Sequence, residues 1–258
     1  MRPVTLITGA SAGIGTALAH EFARHGHELL LIARREQRLA ELADAIAAQG
    51  HKRPLLLPLD LGAPDAVARL ADALARLDVE PETVVNNAGF GLVGAAAKLD
   101  LAEQLAMIDL NVRVLTDLSL AFVGTLQRRR GGILNVASVA AFLPGPGMAI
   151  YYASKAYVLS FSEALHRELK PRGVRVTVVC PGPVPTEFQA RAGLRNERYP
   201  RLVTQTPEQV AQAGYRGLMA GRRLVVPGIG NKLVTFLLRV TPSGLAAAGV
   251  ETQQRLRQ

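Results

Sequence analysis

Short aliphatic runs alternate with segments of helical periodicity almost from one end of the chain to the other. A strand buried on both faces of a sheet reads as a continuous apolar run, whereas an amphipathic helix repeats every ~3.6 residues. The alternation therefore predicts βαβ units and an α/β fold: a doubly wound parallel sheet with helices on both faces. The runs fall at Val4 to Thr8, Glu28 to Ala33, Pro54 to Leu59, Thr83 to Asn86, Gly132 to Ala137, Arg175 to Cys180 and Leu224 to Val226, about seven strands. With 258 residues, one domain spanning 1–258 accounts for the chain.

The helices between these runs carry their own punctuation. Gly13 to His25 stops at Gly26 and Arg35 to Gln49 stops at Gly50, glycines suited to the left-handed position after a helix. Thr206-Pro207-Glu208-Gln209 reads as a capping box with proline at the first helical position. Leu99 to Arg130 is too long for one uninterrupted surface helix, and Asn111 falls in its middle. Two segments leave the pattern. The stretch from Pro181 to Gln205 has little periodicity and is long enough for a lid, placed at about 187–205. At 231–258 an apolar helical extension, broken near Thr241-Pro242, is expected to pack on the body or on a second subunit; its two cations, Lys232 and Arg239, are few for a helix lying on a membrane surface.

Composition narrows the function classes. No run approaches the roughly 20 apolar residues that cross a bilayer, the first residues run straight into a strand, and the single cysteine excludes an internal disulfide. A cytoplasmic protein is expected. The net charge of +9 raises nucleic-acid binding, but the arginine clusters at 34–35, 128–130 and 222–223 lack interleaved aromatics, so solubility and an anionic cofactor account better for the charge. The five histidines lack metal-ligand spacing, and no catalytic metal is expected. Cys180 has no histidine placed to activate it and reads as a strand thiol.

Directly after the first strand comes Gly9-Ala10-Ser11-Ala12-Gly13-Ile14-Gly15, opening a helix. Glycines allow a tight turn and close backbone approach, and the free N–H groups of a helix start suit a pyrophosphate. The second strand ends in Ala33-Arg34-Arg35 instead of an acidic residue. A carboxylate there would accept from a ribose 2′-hydroxyl and repel a 2′-phosphate, so NADP(H) is favoured over NAD(H). Arg34 is the first choice for the phosphate, with Arg35 and Arg38 behind it.

Tyr151 and Lys155 stand four residues apart in AIYYASKAYVLSFSEALHRELK, on one face if the stretch is helical, while Ser138 ends an apolar run. An ammonium beside a phenol favours the phenolate; reaching neutral pH needs a shift of roughly two to three units, which the lysine and a second positive charge, such as an oxidised nicotinamide, could supply together. Tyr152 lies about 100° around the helix and reads as a packing residue.

Read in order, Thr8-Gly9-Ala10-Ser11-Ala12-Gly13-Ile14-Gly15, Asp60, Asn86-Asn87-Ala88-Gly89, Asn111, Ser138, Tyr151 to Lys155 and Pro181 to Thr186 resemble the short-chain dehydrogenase/reductase family over residues 3 to 227. The resemblance implies a Rossmann-type fold and a catalytic tetrad of Asn111, Ser138, Tyr151 and Lys155. Tyr151 would exchange the proton with a carbonyl or hydroxyl oxygen, Ser138 would orient that oxygen, Lys155 would hold the nicotinamide ribose, and Asn111 would anchor a relay water. It also implies a cofactor site of Gly9, Ser11, Ala12, Gly13, Ile14, Gly15, Arg34, Arg35, Asp60, Leu61, Asn87, Ala88, Gly89, Tyr151, Lys155, Pro181, Gly182, Val184 and Thr186, with Asn86 bracing the sheet. Phe90 to Leu92, Ala141 to Met148 and Glu187-Phe188 would border a mostly apolar substrate space. The expected activity is NADP(H)-dependent interconversion of a small-molecule carbonyl and alcohol, on a hydrophobic or lipid-like substrate, in a homodimer or homotetramer. An epimerase or isomerase with tightly held cofactor, and a non-catalytic NADP(H) sensor, are the competing readings.

Overall fold

The fold is seen in a computed structural model that describes residues 1–194 and 200–240, excluding the side chains of 239 and 240. Seven parallel strands form one sheet: β1 (Arg2–Thr8), β2 (Leu29–Ala33), β3 (Leu55–Pro58), β4 (Val79–Asn86), β5 (Gly132–Val136), β6 (Arg175–Val179) and β7 (Leu224–Val225), in the spatial order β3-β2-β1-β4-β5-β6-β7. After β3 the chain returns across the sheet to pair β4 with β1, which opens a crevice beyond the carboxyl ends of those two strands.

Strand alternation distributes the two cores. Leu29, Leu31 and Ala33 face α1 (Gly13–Arg24), α2 (Glu36–Ala48) and α9 (Pro207–Met219), through Phe22, Leu39, Ile46 and Leu218 among others. Leu30 and Ile32 face α3 (Ala66–Arg76), α5 (Leu115–Ala121), α6 (Val123–Arg129) and α7 (Ala149–Leu169), through Leu70, Leu118, Leu126 and Leu165. The two apolar layers explain why the strand runs are continuous rather than alternating.

The punctuation works as read. Gly26 and Gly50 stand at φ +79° and +84°, and Thr206 and Gln209 form the capping box of α9. The long segment after Leu99 divides into α4 (Leu101–Ile108), a π-helical turn (Asp109–Val114), α5 and α6. Two readings need correction, and a third gains detail. β4 starts at Val79 and not Thr83, because Val79 to Pro81 pair with Arg2 to Val4 and the register slips once, between Val4 and Thr5, to absorb Glu82. The Pro181 to Gln205 stretch is not all irregular: Thr186 and Gln189 close a capping box on a short helix, α8 (Glu187–Ala192). The C-terminal helix, α10 (Ile229–Val240), sits on the body through its polar side: Asn231 and Thr235 are buried while Ile229, Leu233, Phe236 and Leu237 are exposed. The expected break at Thr241-Pro242 lies outside the described residues.

A buried polar ladder pins β4 to β5 and to the helices beneath. Asn86 Nδ2 donates to Ser119 Oγ at 2.9 Å and to Asn135 Oδ1 at 2.8 Å, and Asn135 Nδ2 donates to Ser162 Oγ at 2.8 Å. Asn86 braces the sheet, as its sequence context suggested. Asn135→Ala leaves two of these groups without their partner and is expected to destabilise the protein by about 1–3 kcal/mol, measured as a lower urea midpoint at unchanged m-value.

Candidate active site

The residues singled out by sequence gather at the carboxyl edge of the sheet. Gly9, at φ +65°, turns the chain out of β1, and Gly13, at φ +55°, opens α1. A Cβ on Gly15 would strike the Gly9 carbonyl oxygen, so the turn closes only with glycine there. Ala12 caps α1 without a side-chain hydrogen bond, and the first turn holds no acidic residue. Its N–H groups and dipole are therefore suited to an anion. Ser11 and Ile14 complete the turn, and Arg35 reaches back to Ser11, donating to its Oγ at 3.3 and 3.2 Å and to its carbonyl at 3.1 Å.

Asn87 is turned inward. Its Nδ2 donates to the carbonyls of Thr8, at 2.9 Å, and Gly9, at 3.2 Å, while the Thr8 hydroxyl accepts from the backbone N–H of Asn87 and Ala88, both at 3.0 Å. The side chain thus holds the glycine turn itself, with Ala88 and Gly89 carrying the chain onward to Phe90. Asp60 is exposed after β3 and accepts from the Gly62 N–H at 3.0 Å, next to buried Leu61. Arg34 and Arg38 are exposed, Arg38 within 3.8 Å of Glu41.

The four residues Asn111, Ser138, Tyr151 and Lys155 come from three elements. Tyr151 and Lys155 stand one turn apart on α7, with the Lys155 Nζ 5.8 Å from the Tyr151 ring centroid. Ser138 begins the turn after β5 and hydrogen-bonds the phenol. Asn111 lies in the π-helical turn, 1% exposed; its Oδ1 accepts from the Phe90 N–H at 3.1 Å and its Nδ2 donates to the Phe90 carbonyl at 2.9 Å and Ser154 Oγ at 3.1 Å. Both amide protons of Asn111 are thus committed to protein. Ser154, which sequence reasoning passed over as an ordinary helix residue, donates in turn to the Tyr151 carbonyl at 2.7 Å. Tyr152 packs edge-on to Tyr151, with ring centroids 6.1 Å apart, and against Gly145.

Burial dominates the electrostatics of the pair. It pushes the Tyr151 phenol up to about 12, against the downward pull of the Ser138 hydrogen bond, and pushes Lys155 down to about 8. Sequence reasoning looked to the lysine to lower the phenol; at this separation its charge does not outweigh desolvation. The Lys155 ammonium, 6% exposed, donates to the Val136 carbonyl at 2.9 Å. An ammonium has three protons to place. The ribose hydroxyls of a nicotinamide nucleotide would suit the remainder, and the open helix start and glycine turn would suit its pyrophosphate. The residues present therefore fit such a cofactor.

The segment after β6 closes the site. The Pro181 carbonyl accepts from the Val139 N–H at 2.9 Å, Gly182 lies against Asn231 of α10, and Val184 is buried in the α1 face of the core. The Thr186 hydroxyl caps α8, and its methyl group would be 2.8 Å from a Cβ on Gly13. The Phe188 ring tilts over Tyr151 at 5.4 Å between centroids, and with Met148 it crowds Gly91, where a Cβ would meet it at 2.9 Å. Arg191 stacks 4.5 Å above the Phe90 ring. A cavity of about 570 Å³ runs from Ser11 and Gly13 along α1 to His51 and Glu208. Among the described residues, no three His, Cys, Asp or Glu side chains converge as metal ligands.

The comparisons with known proteins point one way. The profile of the short chain dehydrogenase family matches residues 3–197. A sulfoacetaldehyde reductase 2 from Chromohalobacter salexigens is 40% identical over 191 residues, covering 73% of this chain and 75% of that protein. A short-chain dehydrogenase from Sphingobium yanoikuyae, solved in complex with NADPH, superposes with a TM-score of 0.82 at 33% identity over 95% of both chains. A short-chain dehydrogenase/reductase from Burkholderia phymatum, solved with NAD, gives 0.79 at 26% identity over 93% of this chain and 92% of that one.

The buried lysine has a measurable signature. Between pH 8 and 10.5 the folded protein releases a proton that the unfolded chain keeps, so stability rises with pH across that window. The rise amounts to at most about 3 kcal/mol. Lys155→Met is expected to abolish it, as read from thermal midpoints collected at intervals of pH.

Proposed function

The chain belongs to the short-chain dehydrogenase family, and from that premise we propose that it is an NADP(H)-dependent oxidoreductase that interconverts a carbonyl and an alcohol, with Tyr151 as general acid and base. The observation that carries the reading is the meeting of the Tyr151 phenol, the Ser138 hydroxyl and the buried Lys155 ammonium at the same edge of the sheet as the open start of α1. A nicotinamide cofactor, held through the glycine turn and Lys155, would supply or accept the hydride when bound. Ser138 donates to the substrate oxygen and orients it, and Tyr151 gives that oxygen its proton in reduction or takes it in oxidation. Lys155 holds a ribose hydroxyl and favours the phenolate. The rest of the downward shift from about 12 is assigned to the positive charge of the oxidised ring. With both amide protons of Asn111 engaged, its side chain holds Phe90 and α7 in place, and any relay water would meet its free oxygen lone pair or its backbone carbonyl.

The 2′-phosphate preference rests on Arg34 and Arg35 at the end of β2, where no carboxylate stands. The adenine end extends toward Asp60 and Leu61. Phe90, Gly91, Met148 and Phe188 form an apolar border around Tyr151 and favour a hydrophobic ketone, aldehyde or alcohol. A second reading, a small carbonyl compound bearing an acid group, is favoured by the Arg191 guanidinium over Phe90 and by the substrate named for the Chromohalobacter relative. A panel that pairs cyclic and medium-chain ketones with sulfonate and carboxylate aldehydes, followed by NADPH absorbance, separates the two.

A homodimer or homotetramer would cover the apolar stripe of Leu101, Leu105 and Ile108 on α4, with Leu120 and Tyr157 beside it. No described helix is long and apolar enough to cross a membrane.

Tyr151→Phe removes the proton donor and retains the packing. Turnover on the best substrate of the panel is expected to fall by about 10²- to 10⁴-fold, with NADPH affinity by fluorescence titration within about twofold. Undiminished turnover would refute the role of Tyr151.

A further inference from the structure

Arg35 is shared between two loops of the site. Its Nε and one terminal nitrogen hold Ser11 in the glycine turn, and the other terminal nitrogen pairs with Glu187 Oε2 at 2.8 Å. Glu187 is the first residue of α8. Thr186 before it presses on Gly13, and Phe188 after it covers Tyr151. One ion pair therefore ties the end of β2, where the 2′ position of an adenosine ribose is read, to the helix above the phenol.

We propose that Glu187 is a specificity-determining residue: it competes for Arg35 with the 2′-phosphate of the cofactor, so that the phosphate frees α8 and a 2′-hydroxyl leaves it tied. The inference rests on the NADP(H) reading and deepens it. Three observations support the exchange. Arg35 and Glu187 are both about half exposed, at 45% and 57%, and pairs so placed are weak enough to be displaced. A phosphate dianion carries more charge than a carboxylate and can take both terminal nitrogens of a guanidinium. Among the described residues, Arg34 is exposed with no hydrogen bond or ion pair and stands beside Arg35 to receive the same group, whereas Arg35 is the one cation paired with Glu187.

Adenosine 2′,5′-bisphosphate and adenosine 5′-monophosphate test the inference without any nicotinamide, since they differ only in the 2′-phosphate. On the full chain, the bisphosphate is expected to raise amide hydrogen exchange across residues 187–192 by about two- to fivefold, and the monophosphate to leave it unchanged. Glu187→Gln is expected to raise that exchange with no nucleotide present and to tighten bisphosphate binding by calorimetry about two- to fivefold, with monophosphate binding unaltered. Bisphosphate preference with unaltered exchange in α8, or with unaltered affinity in Glu187→Gln, overturns the competition and leaves the NADP(H) reading standing. Equal affinity for the two nucleotides overturns both.

Discussion

The site depends on a clamp across the crevice between β1 and β4. The Thr8 hydroxyl accepts two backbone N–H groups from the β4 loop, and the Asn87 side chain answers with two donations to the β1 turn. Four hydrogen bonds, each worth about 1 kcal/mol net, join two segments that neighbour each other only because the chain returns past β1 after β3. From there the constraint passes on through contacts of the same kind. Gly89 and Phe90 follow the clamp, Asn111 grips Phe90 by both backbone groups, and Ser154 links Asn111 to the Tyr151 carbonyl. The glycine turn and the phenol are thereby held in one frame, the preorganisation that the proposed proton transfer would require.

Within that frame, Tyr151 and Lys155 are placed against their own solvation. Each would be more easily charged in water, and each is pushed by burial toward its neutral form. Two groups poised in this way respond strongly to whatever charge arrives beside them, because little water remains to screen it. The same burial that makes the phenol reluctant by itself makes it sensitive to its partner.

Most of the architecture was legible because its signals are local. Apolar runs gave the strands, glycines the helix ends, and Thr206 with Gln209 the start of α9. The sharing of one face of α7 by Tyr151 and Lys155 was legible through helical spacing. What escaped was decided by pairing and by side-chain direction. β4 gained Val79 to Pro81 from a partner strand, although Pro81 and its flanking glutamates do not resemble a strand by themselves. Asn87 was expected at the cofactor, and its bracing of the glycine turn was not legible, since its rotamer is set by two carbonyls far away in sequence. α8 hid in a proline-rich stretch because six residues are too few to show a period, although its Thr-Glu-Phe-Gln capping box was in plain view. The role of Ser154 follows only from the π-helical turn that brings Asn111 to it.

α10 illustrates how composition and placement can part. Its aliphatic residues face outward, and Asn231 fastens it by donating to the carbonyls of Val203 and Pro227, both at 3.1 Å, beside Gly182. The two cores of the sheet are held chiefly by burial of apolar surface, whose driving force fades on cooling and carries a large heat-capacity change. Among the described residues, detaching α10 would free the Val203 and Pro227 carbonyls and the Asn231 amide while its exposed aliphatic side chains would lose no cover. Its attachment beside the Pro181 to Thr186 segment therefore has a different temperature dependence from the scaffold it rests on: chilling, which loosens the cores, spares this seam.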